Sequence, residues 1–232
     1  MQFTSDLTAT LVDHMGGDDS IVRAMLVSTQ GGEALDATAT AGRIGAMMRN
    51  KHGSPFEHNS MTFLVRAPIF VFREFHRHRV GWSYNEMSAR YRELPADFYM
   101  PPRHRPLIQT GKAIDYQMGP EHDDEEFNDT LDDLEAVYRH AYEAYQRIIA
   151  RGHAKEIARA CLPVGIYTEM FATCNARSLM AFLSLRTHEP TATFPSKPQW
   201  EIEQVARQME AVFAELFPLT YAAYCEHGRV AP

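Results

Sequence analysis

The sequence predicts a mixed α/β fold, because helical and strand-like patterns both occur along its 232 residues. Apolar residues in 127–148 recur every three or four positions, which is typical of a long amphipathic helix, and Gly152 closes it. The same spacing predicts a closing helix over 200–216. Residues 165–173 (GIYTEMFAT) are instead rich in β-branched and aromatic side chains, which favours a strand. A chain of this length can bury a sizeable core and no linker clearly divides it, so we expect a single domain over 1–232.

Two short helices and a strand are predicted near the start of the chain. Residues 18–20 (Asp-Asp-Ser) are suitable capping residues for a helix over 21–26. Residues 38–50 predict a second helix, rich in small side chains, and 54–58 predict a turn. Alternating apolar residues then predict a strand over 61–65.

The next segment is predicted to be helical over 68–79, with its proline at the first position and Gly81 after its end. On such a helix Arg73 and Arg77 lie one turn apart on the same face. Residues 83–86 (Ser-Tyr-Asn-Glu) have the spacing of a capping box, which would open a further helical turn.

The second half begins with a long excursion over 96–126, rich in proline, glycine and charge. A short helix is predicted over 154–162. Asn175 is a suitable cap for a helix over 176–187.

Arg186 lies on the apolar face of this last helix, since Leu179, Phe182 and Leu183 precede it by seven, four and three residues. A buried guanidinium without a partner costs several kcal/mol or more, so Arg186 needs an anionic or carbonyl partner. Either an internal acid or a ligand can supply it, and the sequence does not distinguish the two.

The segment 73–92 (REFHRHRVGWSYNEMSARYR) holds five arginines, two histidines and only two acids. We call it the arginine-rich segment. Arginine forks match the geometry of phosphate and carboxylate groups, and no lysine lies among these residues. The apolar residues between the arginines favour a walled site over a solvated helix with scattered ion pairs.

The composition is that of a globular protein with a formal net charge of −7, which argues against a nucleic acid polymer as partner. No apolar run has the length of a membrane span, and the amino terminus lacks a signal-peptide pattern, so we expect a cytoplasmic protein without a membrane partner. The three cysteines form no Cys-x-x-Cys pair and are predicted to be reduced.

Two motifs resemble those of the flavin-dependent thymidylate synthases. That family has Arg-His-Arg, a seven-residue spacer and a serine, which Arg77–Arg79 and Ser88 match with a spacer of eight residues. The second motif is matched by 175–186, which reads Asn-Ala-Arg-Ser-Leu-Met-Ala-Phe-Leu-Ser-Leu-Arg. The similarity covers most of the chain and is weakest over 103–125.

The resemblance implies a central, largely antiparallel sheet flanked by helices, in a homotetramer with active sites at subunit interfaces. It also implies the reductive methylation of dUMP to dTMP. In that reaction 5,10-methylenetetrahydrofolate gives the carbon, tightly bound FAD relays it, and NADPH supplies the reducing equivalents.

The resemblance assigns roles to two sets of positions and implies no metal site. The flavin-binding set is Ser54, Arg77, His78, Arg79, Glu86, Asn175, Ala176 and Arg177. The nucleotide-binding set is Glu74, Phe75, His76, Arg77, Glu86, Met87, Ser88, Ala89, Arg90, Arg159 and Arg186. Arg186 is the implied catalytic residue, which would polarise the uracil and favour its ionised form.

Two other classes of function compete with this one. A metal-dependent nucleotide phosphohydrolase could use imidazole and carboxylate ligands, although the sequence shows no paired carboxylate motif. The side chains that suggest it are His58, His76, His78 and Glu86. An RNA-binding module could use the arginine-rich segment with Trp82 and Tyr84 as stacking platforms, although the acidic net charge argues against it.

Overall fold

A computed structural model describes residues 1–28, 36–112, 115–119 and 123–232. The strands are β1 Gln2–Thr4, β2 Thr8–Met15, β3 Ser60–Pro68, β4 Trp82–Glu86, β5 Asp97–Tyr99, β6 Gln109–Lys112, β7 Asp115–Met118 and β8 Tyr167–Cys174. The helices are α1 Asp18–Leu26, α2 Ala37–Arg49, α3 Ile69–Phe75, α4 Asp124–Ala150, α5 Lys155–Ala158, α6 Ala176–Arg186, α7 Trp200–Leu216 and α8 Pro218–Glu226. Short 3-10 turns cover Ser54–Glu57 and Arg159–Cys161.

The chain divides into two compact units, which we name after their main elements. The α4 unit comprises Met1–Asp6, Pro68–Phe70 and Met87–Thr168. The sheet unit comprises Leu7–Ala67, Val71–Glu86 and Glu169–Pro232.

The sheet unit is built on a four-stranded sheet with the order β2-β3-β8-β4. The pairs β2/β3 and β4/β8 are antiparallel. Buried residues alternate along β3 (Met61, Phe63 and Val65), so one face of the sheet forms a core. Helix α7 packs on β2 and on α6, while α2 packs on α8. The predicted mixed α/β fold, with an antiparallel sheet flanked by helices, is confirmed.

The α4 unit has its own core beneath the long helix. Ala89, Leu94, Phe98, Tyr138 and Ile166 form a buried cluster, in which the Phe98 and Tyr138 rings stack with centroids 4.8 Å apart. Strand β1 pairs with β5 in parallel, and β6 with β7 form an antiparallel hairpin. The predicted excursion over 96–126 therefore contains strands and the start of α4, although 113–114 and 120–122 lie outside the described residues.

The helix predicted over 68–79 is shorter in the structure, because α3 ends at Phe75 and Pro68 is the last residue of β3. Side chains from other elements donate hydrogen bonds to the backbone carbonyls at its end. The Tyr84 hydroxyl lies 2.9 Å from the carbonyl of Phe75, and the Arg186 guanidinium lies 3.3 Å from that of Glu74. Arg77 therefore lies beyond the helix, not one turn along it from Arg73.

The helical turn predicted at 83–86 is wrong, since these residues belong to strand β4. Ser83 lies opposite Thr173 and Asn85 lies opposite Phe171 in the ladder with β8. Pairing with a strand distant in the sequence overrides the local capping pattern. The first helix also begins earlier than predicted, at Asp18 with Gly17 as its cap.

The other predicted helices agree with the structure within a few residues. Helix α7 has the predicted bounds, and the Asn175 side chain caps α6 by accepting from the Ser178 amide at 2.9 Å. Strand β2 and helix α8 were not predicted. All three cysteines are free thiols, as predicted. In the part of the chain described here, every helix is too short or too polar to cross a bilayer.

Candidate active site

Arg186, the last residue of α6, is the centre of an interacting group that we call the Arg186 cluster (Arg186, Glu74 and His78). Its side chain is 15% exposed, and its Nη1 lies 2.5 Å from Oε2 of Glu74. Its Nη2 donates to the Glu74 carbonyl at 3.3 Å, and its Nε donates to Nε2 of His78 at 3.0 Å. Of the two partners that the sequence left open, the structure contains the internal acid.

His78 is neutral near pH 7. Burial, followed by the positive charges of Arg186 and Arg77, lowers its pKa from 6.5 to about 4. A neutral imidazole has one acceptor nitrogen, and Nε2 is used to accept from Arg186. The ring proton is therefore on Nδ1, and His78 can donate to a further acceptor through that atom.

Aromatic side chains hold His78 and its loop in place. The Phe182 ring lies 4.9 Å from the rings of both His78 and Phe75, and Trp82 stacks on Tyr84 with centroids 5.6 Å apart. The Tyr84 hydroxyl lies 2.9 Å from the carbonyls of both Phe75 and His78. Burial raises the pKa of Tyr84, so this hydroxyl keeps its proton and donates.

The loop after Arg79 packs on the first turn of α6. The Ser178 hydroxyl donates to the carbonyl of Val80 at 2.8 Å. Buried Asn59 accepts from the amide of Ala176 at 2.8 Å, which joins the turn before β3 to the same end of the helix. Gly81 has a positive φ of 69°, and a side chain on it would collide with the side chain of Ser178.

Arg177 connects this end of α6 to the 3-10 turn that begins at Ser54. Its Nη1 lies 2.5 Å from Oε1 of Glu57, and its Nε donates to the carbonyl oxygen of Pro232 at 2.7 Å. Its guanidinium lies directly on Gly53, where a side chain would collide with it. The structure therefore brings the 3-10 turn, the Arg-His-Arg loop and α6, which carry most of the positions predicted to bind flavin, into one region of the sheet unit.

The remaining predicted positions of the sheet unit differ in exposure. Arg77, Arg79 and His76 are exposed, whereas Phe75 is fully buried in the core. Glu86 is half-buried at the end of β4. The exposed guanidinium groups can meet an anion at low desolvation cost, whereas the Phe75 ring stacks on Phe182 inside the core.

Five predicted nucleotide positions lie in the α4 unit. Ala89 is buried in its core, and Met87 packs against that core. The Ser88 hydroxyl accepts from the amide of Arg90 at 3.3 Å, within a turn. Ser88 and its neighbours thus form a short ordered loop that begins immediately after β4 in the sequence.

Arg90 contacts the segment that carries Arg159. Its Nε lies 2.9 Å from Oε2 of Glu156, and both side chains are about half exposed. Glu156 precedes Arg159 by three residues, and Arg159 is exposed. Two exposed guanidinium groups around a local turn are a suitable arrangement for an anionic oxygen cluster such as phosphate.

The sequence of the chain is similar to those of known proteins over nearly its whole length. The family model described as "Thymidylate synthase complementing protein" matches residues 10–219. A flavin-dependent thymidylate synthase of Streptomyces avermitilis is 53% identical over 99% of this chain and 95% of its own length. One from Tropheryma whipplei is 43% identical over 99% and 97%. The chain belongs to the thymidylate synthase complementing protein family.

Solved structures extend this family match to the fold. A UMP/dUMP methylase, PolB from Streptomyces cacaoi, bound with 5-Br dUMP, superposes with a TM-score of 0.94. The two sequences are 50% identical, and the match covers all of both chains. The same protein bound with 5-Br UMP superposes with a TM-score of 0.91, at 50% identity over 100% of this chain and 99% of the other.

Some residues that shape the site in this family member had no clear sequence signal. Asn59 and Glu156 act through contacts with residues far away in the chain, and Tyr84 acts through a hydroxyl that reaches back to the end of α3. Asn59 offers the best available signal, because an asparagine beside a predicted apolar strand needs polar partners if it is buried. Tyr84 and Glu156 have side chains that are ordinary on any protein surface.

Proposed function

We propose that this protein catalyses the reductive methylation of dUMP to dTMP. The proposal takes 5,10-methylenetetrahydrofolate as carbon donor, tightly bound FAD as relay and NADPH as reductant. Relatives named flavin-dependent thymidylate synthase, 53% and 43% identical over nearly the whole chain, support the enzyme class. When bound, the flavin would supply the redox and one-carbon chemistry, so the protein's task is to bind, orient and polarise.

The observation that carries the proposal is that Arg186 is held in place by the protein and still has N–H donors for a ligand. A guanidinium has five N–H donors, and the contacts in the described residues engage three of them. One N–H on Nη1 and one on Nη2 remain for a ligand. Donated to a pyrimidine carbonyl, they would stabilise the negative charge of the ionised ring, because donors that are already oriented need no reorganisation.

The phosphate of the nucleotide is assigned to Arg90 and Arg159, with the Ser88 hydroxyl as a further donor. The Nε of Arg90 is engaged by Glu156, and this contact orients the terminal nitrogens of the same guanidinium. The remaining nucleotide roles follow the family motif, at Glu74, Phe75, His76, Arg77, Glu86, Met87 and Ala89.

The residues around the start of α6 fit FAD, which carries an anionic diphosphate. Arg77 and Arg79 are exposed, and the loop that carries them is bonded to the first turn of the helix. Exposed guanidinium groups and a helix amino terminus are both suited to phosphate oxygens. Together with Ser54, His78, Glu86, Asn175, Ala176 and Arg177, they are the positions that we propose would hold the cofactor.

We further propose that residues 1–232 act as one catalytic domain in a cytoplasmic homotetramer with active sites at subunit interfaces. Light scattering on the purified protein tests the assembly, and a mass of one chain would contradict it. The family match gives no support to a metal-dependent phosphohydrolase.

An absorbance spectrum and a turnover assay test the central proposal. The purified protein should show the flavin bands, and its NADPH oxidation should be faster when dUMP is present. Chromatography should then detect dTMP in a reaction that also contains methylenetetrahydrofolate. A colourless protein that neither takes up FAD nor binds dUMP would refute the proposal.

Methylation of UMP is a second candidate function. The observation that favours it is the 50% identity to PolB, whose solved structures hold 5-Br dUMP in one case and 5-Br UMP in the other. Comparing kcat/KM for the two nucleotides under the same conditions decides between them. Turnover of dUMP alone would remove this candidate.

A further inference from the structure

We propose that His78 and Glu74 are positioning residues, which set the orientation in which Arg186 meets the nucleotide. This inference rests on the proposed function. It gives both residues a task that the family motifs do not assign to them, since the motifs imply only flavin binding for His78 and nucleotide binding for Glu74.

The contacts fix the guanidinium plane from two sides. His78 accepts a hydrogen bond from Nε of Arg186. Glu74 accepts from Nη1 through its carboxylate and from Nη2 through its backbone carbonyl. A planar fork that is held at all three nitrogens can neither rotate in its plane nor swing about the side chain. Arginine otherwise loses much rotamer freedom on binding a ligand, so a fork ordered in advance binds with a smaller entropy cost.

The early end of α3 makes this arrangement available. A helix continued to Arg79, as the sequence predicts, would engage the Glu74 carbonyl in its own next turn. Because α3 ends at Phe75, the amide of His78 donates to the Phe75 carbonyl at 2.9 Å, and the Glu74 carbonyl accepts from Arg186 instead.

A double-mutant cycle tests the role of His78. The amide oxygen of glutamine can replace Nε2 as acceptor, whereas that of asparagine falls near the position of Nδ1 and does not reach Arg186. On FAD-loaded protein we expect His78→Asn to weaken dUMP about tenfold by calorimetry and His78→Gln to recover most of this loss. In an Arg186→Met background, His78→Asn should have no further effect, because its effect passes through Arg186.

The control is His153→Asn, an exposed histidine outside the proposed site, which should leave dUMP affinity unchanged. If His78→Asn does not fold or does not hold flavin, the near-isosteric Glu74→Gln replaces it in the cycle with Arg186→Met. Its effect on dUMP affinity should likewise disappear in the Arg186→Met background. Additive effects of the variants on dUMP affinity would overturn the positioning role while leaving the proposed function intact. A wild-type protein that binds neither FAD nor dUMP would overturn both.

Discussion

Replacing Arg186 by methionine should raise the pKa of His78. The substitution keeps an unbranched apolar side chain and removes the charge whose Nε lies 3.0 Å from the imidazole. Burial is the largest of three causes that lower this pKa from 6.5 to about 4, and Arg186 is the second, so it accounts for at most about half of the drop. We therefore expect the pKa to rise from about 4 but to stay below 6.5, because burial and Arg77 still lower it.

An NMR titration of the imidazole Cε1–H resonances measures this change. The chain has 11 histidines, so the spectrum of His78→Asn is needed to assign the signal. Arg186→Lys is the matched control, because it keeps a positive charge and should leave the pKa low. In the same preparations, Arg186→Met should retain flavin but lose most of its turnover. A His78 that still titrates near 4 in Arg186→Met would refute the electrostatic reasoning.

Three further predictions concern stability, each measured by urea unfolding. Gly81→Ala should cost about 1–3 kcal/mol, since alanine is strained at positive φ and meets Ser178; an unchanged midpoint would contradict the positive φ. Tyr84→Phe should cost about 1–2 kcal/mol, because the His78 carbonyl loses the Tyr84 hydroxyl and the Phe75 carbonyl keeps only the amide of His78. The lowered pKa of His78 means that only the unfolded chain takes up its proton between pH 6.5 and about 4. Neutral His78 therefore contributes about 1–2 kcal/mol to the free energy of unfolding above pH 6.5, after allowance for solvent screening, and this contribution is lost as the pH falls. The wild-type protein should thus lose more stability between pH 6.5 and about 4 than His78→Gln does.

Much of the candidate site could be predicted from the sequence because its residues lie in two compact motifs. The string 175–186 indicated the cap, the helix and the inward-facing arginine, and the structure confirms the cap and the burial of Arg186. The ligand-binding roles themselves stay predictions. Arg77 and Arg79 could be recognised from the sequence as candidate anion-binding residues, because few side chains other than arginine match the geometry of anionic groups.

The amino-acid sequence by itself determined the long periodic helices α4, α6 and α7, because a pattern of three and four residues is local and many residues repeat it. Only the tertiary structure decided that α3 ends at Phe75, that 83–86 form a strand, and that Glu74 is the acid that pairs with Arg186. In each of these cases the deciding partner is remote in the sequence. Arg186 donates to the Glu74 carbonyl at the end of α3, and β8 pairs with β4. Local propensities differ by a few tenths of a kcal/mol per residue, so one buried hydrogen bond or strand pairing from a distant element outweighs them.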